Sequence, residues 1–190
     1  EERWLSQVLE RQGSVVVEPW YPRELDLSYL FEVRADESFR EVGLSRFFTD
    51  SRGGYKGALL GPLSAGLSAE SRAFLFRGSS GMQWLQQTAK AIVDSLLAPL
   101  RDCGFQGRAG IDMMVVRDIG GELKLRVPLE LNPRPTMGHV ALGIHSPLPT
   151  RTVGLWLLVS ERDCKGTSAE SLSGLLRKLQ EVLPAQMATG

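Results

Sequence analysis

The sequence is short of cysteine, since its 190 residues include only Cys103 and Cys164. Each of them stands alone, with no second cysteine or histidine at the spacing of a metal site. Two isolated thiols exclude a small secreted scaffold held together by disulfides. The scarcity of cysteine therefore favours a protein of the reducing cytoplasm.

An excess of charge of either sign is also lacking. Lysine and arginine together number 22, and so do aspartate and glutamate, so the formal net charge is zero. Proteins that bind nucleic acids or anionic membrane surfaces carry a basic excess, and we expect neither kind of partner. No apolar run approaches the ~18 residues of a membrane-spanning helix. The densest run, residues 153–159, has the length of a strand.

What the sequence does contain is a mixture of strand-like and helix-like segments without a regular alternation between them. Apolar residues at helical spacing predict helices over residues 4–11, 85–100 and 172–183. Short or alternating apolar runs predict strands over residues 14–17, 25–34, 43–49, 58–60, 111–117, 123–132 and 153–160. This order favours an α+β fold with a mainly antiparallel sheet and packed helices.

The beginning of the chain differs in character from the rest. It opens on charged residues with helical character, and residues 14–17 are apolar on both faces, which predicts a strand buried on both sides. Pro19 and Pro22 make the next segment a connector. We interpret residues 1–17 as the tail of a preceding subdomain, in a chain cut from a longer protein, and residues 18–190 as a second subdomain.

Residues 111–117 and 123–132 are predicted to form a β-hairpin, because the loop between them is rich in glycine. Side chains two apart in a strand share a face, so Asp112, Glu130 and Asn132 are expected on the same side. If the turn is centred near Gly120, Asp112 falls opposite Pro128 and diagonal to Glu130, at roughly 7–8 Å. Two carboxylates and an amide oxygen at the open end of a hairpin suit a hard cation such as Mg²⁺.

The residues of this hairpin carry a family resemblance. Gly107-Arg-Ala-Gly-Ile-Asp-Met-Met-Val115, followed by Leu129-Glu-Leu-Asn-Pro-Arg134, resembles the metal-binding end of the ATP-grasp superfamily. That superfamily includes D-alanine–D-alanine ligase, biotin carboxylase and carbamoyl phosphate synthetase. Its members show an aspartate, then Glu-x-Asn on the next strand, often with an arginine two residues after the asparagine. The resemblance covers residues 15–143 and implies the carboxyl-terminal subdomain of an ATP-grasp domain.

The resemblance implies specific roles for these side chains. Asp112 and Glu130 would ligate Mg²⁺, with Glu130 bridging two ions and Asn132 binding the second. Arg134 would be the catalytic cation that faces the transferring phosphate, because a guanidinium suits phosphate well. A salt bridge from Arg134 to Asp112 or Glu130 is the alternative. Leu129, or a nearby methionine, would pack on the adenine.

Residues 15–20 resemble the hinge strand through whose backbone these enzymes hold the adenine edge. The positions matched to it are Val17, Glu18, Pro19 and Trp20. The acidic residue that holds the ribose is expected a few positions later, where Glu24 and Asp26 compete. The acidic-x-Ser pattern that Asp26 forms with Ser28 favours Asp26, and the spacing does not decide between them.

The function implied is that of an ATP-dependent carboxylate–amine or carboxylate–thiol ligase, which uses ATP, Mg²⁺ and a small carboxylate and acts through an acyl phosphate. A carboxyphosphate-forming enzyme similar to biotin carboxylase and a non-catalytic nucleotide-binding module are the alternatives. The family's covering lysines and glycine-rich loop belong to the preceding subdomain, in the amino-terminal half of the parent protein. We therefore expect this chain by itself to be an inactive fragment that binds ATP poorly. The open edge of residues 14–17 would also allow pairing into a homodimer.

Overall fold

A six-stranded antiparallel sheet forms the centre of the computed structural model, which describes residues 2–36, 38–78, 81–146, 149, 152–165 and 168–182. Its strands are β1 (Arg23–Val33), β2 (Phe39–Thr49), β3 (Tyr55–Leu60), β4 (Gly107–Arg117), β5 (Leu123–Asn132) and β6 (Gly154–Leu157). They lie in the order β5-β4-β1-β2-β3-β6. The helices among the described residues are α1 (Glu2–Gln12), α2 (Ala69–Leu75), α3 (Gln83–Asp102), α4 (Met137–His145), α5 (Glu161–Cys164) and α6 (Leu172–Val182). The α+β class with an antiparallel sheet is therefore confirmed.

One face of the sheet packs against α3 and forms the main core. Alternate residues of the neighbouring strands β1 and β4, such as Tyr29 and Met113, are fully buried on this side. The helix contributes Leu85, Ala89 and Val93, whose 3–4 spacing gives it a single apolar stripe. This core buries every second residue of the strands and one side of α3. Because burial requires apolar side chains at those positions, both periodic patterns were recognisable in the sequence.

The opposite face of the sheet is covered over only part of its area, by α4. This helix lies so close to the sheet that a Cβ on Gly138 would come within 3.1 Å of both Leu30 and Ser45. Beyond α4, toward the start of β1, the same face bears polar side chains. We call this part the polar face and define it by Asp26, Ser28, Asp112, Glu130 and Asn132, which strand pairing places on one side.

The strand expected at residues 14–17 does not form, and the expectation that it is buried on both sides is wrong. The side chains of Val16 and Val17 are 88% and 89% exposed, and residues 14–22 carry no regular secondary structure. A short apolar run becomes a strand only where a partner satisfies its backbone groups, and the edge strands β5 and β6 do not pair with it. The self-pairing edge proposed for these residues is therefore absent from the structure. The division between residues 17 and 18 stays a prediction.

The other strands and helices expected from the sequence are present, with boundaries that differ by a few residues. Strands β1 and β2 start at Arg23 and Phe39 rather than at residues 25 and 43. The strand expected over residues 153–160 is β6, which is shorter and spans Gly154–Leu157. Three helices, α2, α4 and the short α5, were not assigned from the sequence. In α4 the glycines at positions 138 and 143 weaken helix propensity, and tight packing on the sheet outweighs that cost. Within the described residues, no helix has the length and apolar character needed to cross a bilayer.

Gly57 of β3 lies directly against the edge strand β6, so a substitution there probes the contact between the two strands. Its φ is +154°, and a Cβ there would lie 2.0 Å from the backbone oxygen of Trp156. Gly66 also has a positive φ, +64°, but a Cβ there would contact nothing within 4 Å. We expect Gly66→Ala to cost about 1–2 kcal/mol of stability through backbone strain alone. Gly57→Ala should cost about 1–3 kcal/mol more, because it also overlaps β6.

Urea unfolding of both variants measures this difference, and hydrogen exchange at the amide of Leu158, which donates to the backbone oxygen of Lys56, reports whether β6 has separated from β3. Equal losses of stability in the two variants would show that the contact between Gly57 and β6 does not contribute.

Candidate functional site

The hairpin of β4 and β5 holds its two acidic residues directly opposite each other. Near the turn the pairing is regular, with Met114 opposite Arg126, but farther along Asp112 pairs with Glu130 and Gly110 with Asn132. The expected pairing of Asp112 with Pro128 is therefore wrong. The ladder shifts between Asp112 and Met114, so residues 127–129 of β5 lie across from a single residue of β4.

The shift arises where β5 contains proline. Pro128 has no N–H with which to bond the neighbouring strand. The pairing expected from the sequence was obtained by counting residues symmetrically from the turn, which assumes that the hydrogen-bond ladder is regular throughout. The peptide bond between Val127 and Pro128 is cis. Because the irregularity adds two residues rather than one, the alternation of side chains is kept. Asp112, Glu130 and Asn132 accordingly share one face, as predicted.

Asp112 lies half-buried on the polar face. The Asn132 side chain donates a hydrogen bond from Nδ2 to Asp112 Oδ2 at 3.1 Å. Burial is the main influence on the Asp112 carboxyl and raises its pKa, and the nearby charge of Glu130 raises this pKa further. The Ser28 hydroxyl and the Asn132 amide act in the opposite direction without reversing the shift. The site therefore holds a carboxylate whose negative charge is poorly compensated.

Arg134 extends from the end of β5 into the same place. Its Nη2 donates to Asn132 Oδ1 at 3.1 Å, so the alternative of a salt bridge to Asp112 or Glu130 is not what the structure contains. Glu130 is exposed and makes no hydrogen bond or ion pair with another described residue. The two carboxylates thus face each other, with the arginine beside them but attached to the amide.

These side chains line a cavity of about 220 Å³, which we call the acidic cavity. Ser28, Thr49, Gly53 and Tyr55 contribute from the neighbouring strands and turn. Residues Thr136, Met137 and Gly138, at the start of α4, close its far side. The described residues contain no cluster of three His, Cys, Asp or Glu side chains able to hold a metal. A cation here would be held by two carboxylates and the amide oxygen of Asn132, a set that suits Mg²⁺.

A second cleft, of about 430 Å³, lies beside the acidic cavity on the same side of the sheet, and we call it the base cleft after the adenine contacts that the resemblance implies for some of its residues. It brings Glu18, Pro19 and Trp20 together with Leu129, which are far apart in the sequence and were matched separately to adenine contacts. Val17 does not line this cleft. Leu129 reaches it, with 44% of its surface exposed, because it lies within the irregular part of β5.

Neither acid considered for the ribose faces the base cleft. Glu24 accepts a hydrogen bond from Arg117 at 2.8 Å, and Arg117 also binds Glu70. Asp26 is only 7% exposed, its Oδ2 accepts a hydrogen bond from Thr49 at 2.7 Å, and burial raises its pKa. Of the acids considered at the chain's beginning, Glu18 is the one that lines the cleft.

Two arginines at the base cleft were missed in the sequence, and its methionine was expected only as one near Leu129, without a number. Met114 and Arg23 line the base cleft, and Arg126 lies over the ring of Tyr21 at 4.3 Å. Alternation along β4 does place Met114 on the face of Asp112, so this residue was recoverable from the sequence. The positions of Arg23 and Arg126 depend on strand order and on the β5 irregularity, which no local pattern indicates.

His139, in the first turn of α4, has a structural role and does not line the acidic cavity. It is 5% exposed, and its Nδ1 accepts a hydrogen bond from the backbone N–H of Thr136 at 3.1 Å. Burial lowers the pKa of His139, and the charge of Arg108 lowers it further. The neutral imidazole therefore caps the first turn of α4.

Comparisons with known proteins add no family to this description. No protein-family model matches the chain, and no curated protein matches it significantly in sequence.

Asp112→Asn should make the protein more stable at pH 7. Burial and Glu130 raise the pKa of Asp112, so its ionised form is disfavoured in the folded state and its stabilising contribution is lost as pH rises through the folded pKa. An asparagine can keep the hydrogen bond from Asn132 without the charge. The gain in unfolding free energy should shrink as pH falls toward about 4, where aspartate in the unfolded chain also becomes protonated.

Asp94→Asn is the matched control, because Asp94 is exposed on α3 and should show no such gain. Urea unfolding from pH 4 to pH 8 measures both variants. A loss of stability in Asp112→Asn at neutral pH would mean that the carboxylate is well compensated in the folded protein.

Proposed function

We propose that this chain is the carboxyl-terminal subdomain of an ATP-grasp ligase and binds Mg-ATP along the polar face. The observation that carries the proposal is the direct pairing of Asp112 with Glu130, with Asn132 and Arg134 in the same cavity. The neighbouring base cleft, lined by residues 18–20 and Leu129, supports it independently. A nucleotide with its base in that cleft would have its phosphates directed at the two carboxylates.

The chemistry of the donor set fits magnesium. Asp112 and Glu130 offer carboxylate oxygens that have no cationic partner among the described residues, and Asn132 offers an amide oxygen once Arg134 turns from it to phosphate. Bound Mg²⁺ would neutralise the negative charge of the phosphates. The residues themselves hold the cation, orient the phosphate chain and, through Arg134, stabilise charge on the transferring group.

The proposed reaction is the activation of a small carboxylate. An oxygen of that carboxylate attacks the γ-phosphorus, the bond to the β–γ bridging oxygen breaks, and ADP leaves. The nitrogen of an amine, or a thiol sulfur, then attacks the carbonyl carbon of the acyl phosphate, and inorganic phosphate leaves. A preceding subdomain would provide the cover over the phosphates, so this chain supplies one half of the site.

The rival function is a nucleotide-binding module that does no chemistry. Such a module needs the base cleft but has no use for an exposed carboxylate held opposite a half-buried one. Because that arrangement costs stability without a cation, we favour the catalytic function over the regulatory one. Turnover of ATP with a panel of carboxylates and amines, in the full-length protein, separates the two.

Glu130→Gln should abolish the Mg²⁺ dependence of ATP binding. The substitution keeps shape and hydrogen-bonding capacity but removes one of the two opposed charges. NMR titration of the labelled chain with millimolar ATP, with and without Mg²⁺, should show shifts at Trp20, Asp112 and Asn132 in the wild type, enhanced by the metal. In the variant the enhancement should disappear.

Glu122→Gln is the matched control, since Glu122 lies on the same hairpin, at its exposed turn, and pairs with Lys124. It should leave the titration unchanged. If ATP shifts no residue of either cleft in the wild-type chain at millimolar concentration, the proposed function is wrong.

Arg134→Lys should reduce turnover of the full-length enzyme by at least about tenfold, equivalent to ~1.4 kcal/mol of barrier, with a smaller change in nucleotide affinity. A lysine keeps the charge but loses the planar fork that suits a transferring phosphoryl group. Comparison of kcat with the nucleotide KM measures this split. A variant with full turnover would remove Arg134 from the catalytic role.

A further inference from the structure

Arg23 lies on the boundary between the two clefts. It is the first residue of β1 and lines the base cleft together with Trp20 and Met114. Its guanidinium also reaches Thr49, which lines the acidic cavity. The sequence did not indicate Arg23 as a binding residue, because its surroundings depend on three strands that come together at one end of the sheet.

A set of contacts holds the Arg23 side chain across this boundary. Nε lies 3.3 Å from Asp26 Oδ1 and 3.3 Å from Met114 Sδ, while Nη1 donates to the Thr49 hydroxyl. The guanidinium carbon lies 5.8 Å from the centre of the Trp20 ring. Thr49 in turn donates to Asp26. Asp26 is thus committed to Arg23 and Thr49, which accounts for a buried carboxylate that does not face the base cleft.

One terminal nitrogen of Arg23 remains available. Nη2 makes no hydrogen bond to another described residue and lies 3.7 Å from the point where a Cβ of Gly53 would stand. The Trp20 ring lies 4.0 Å from the same point. Gly53 belongs to the acidic cavity and Trp20 to the base cleft. The free nitrogen therefore faces the passage from one cleft to the other, and the Arg23 side chain as a whole is 28% exposed.

We propose that Arg23 binds the phosphate chain of the nucleotide where it passes from the base cleft to the acidic cavity, and that Asp26 and Thr49 position Arg23 for this contact. The inference rests on the proposed function and deepens it, because it assigns Asp26 to positioning rather than to the ribose. A guanidinium suits this place, since its donors form a rigid fork and it stays charged at every relevant pH.

The purely structural alternative is that Arg23 only neutralises Asp26. A group with that role alone would affect stability, and it would affect adenosine and ATP equally. A phosphate contact would instead affect ATP and leave adenosine unchanged. The ratio of the two affinities is therefore the decisive quantity.

The experiment is an NMR titration of the 190-residue chain with adenosine and with ATP, both in the presence of Mg²⁺ and up to millimolar ligand. Arg23→Ala should weaken ATP binding about tenfold or more, the effect of losing one charge-assisted hydrogen bond. Adenosine binding should stay within about twofold. Arg23→Lys should recover part of the ATP affinity, because it restores the charge. Asp26→Asn, with Arg23 intact but no longer held, should also lower ATP affinity relative to adenosine.

Arg40→Ala is the matched control, because Arg40 of β2 forms a comparable ion pair with Glu32 of β1 at the end of these strands that lies away from both clefts. It should alter neither affinity. Equal weakening of ATP and adenosine in Arg23→Ala, or unchanged binding of both, overturns the role of Arg23 and leaves the proposed function standing. Absence of ATP binding in the wild type overturns both. If Arg23→Ala fails to fold, the Lys and Asn variants decide the question by the same ratio.

Discussion

The opposition of Asp112 and Glu130 across the β4–β5 hairpin is the interaction on which the polar face depends. Two carboxylates that pair directly in an antiparallel ladder repel each other, and such pairs destabilise a sheet. The hydrogen bond from Asn132 and the nearby Ser28 hydroxyl moderate the effect on Asp112, while burial and Glu130 still raise its pKa. A cation between the two oxygens would turn this repulsion into attraction, so the arrangement makes physical sense as a binding site.

One face of the sheet forms the apolar core, and the other carries the proposed binding site. The face against α3 buries a continuous apolar layer, including Tyr29, Met113 and Val93, and can supply most of the stability. The other face is covered only in part by α4, which packs on Leu30 and Ser45 and on Ala58 and Leu60 of β3. The polar face beyond it can therefore tolerate uncompensated charge, because the stability of the chain does not depend on packing there.

The hairpin, its shared face and the α+β class were predictable from the sequence, because alternation and helical spacing are local signals. The pairing of Asp112 was not, since Pro128 interrupts a ladder whose regularity had been assumed. The strand at residues 14–17 failed for the same kind of reason: Val16 and Val17 have strand propensity, but the fold provides no partner. Propensity can be evaluated residue by residue, whereas the presence of a partner depends on the whole topology.

The same distinction applies to the charged residues of the site. Glu24 and Asp26 competed for one role in the sequence, with Asp26 favoured, yet Glu24 is bound to Arg117 and Asp26 to Arg23 and Thr49. Which carboxylate already has a partner decides which one is available for a ligand, and this depends on residues from distant strands. Once these partners are assigned, Glu130 has no cationic partner within the part of the chain that the structure describes. Arg134, bound only to an amide, stands without an anion among the described residues. Both face one cavity, so a ligand that combines a cation with phosphate would satisfy the two at once.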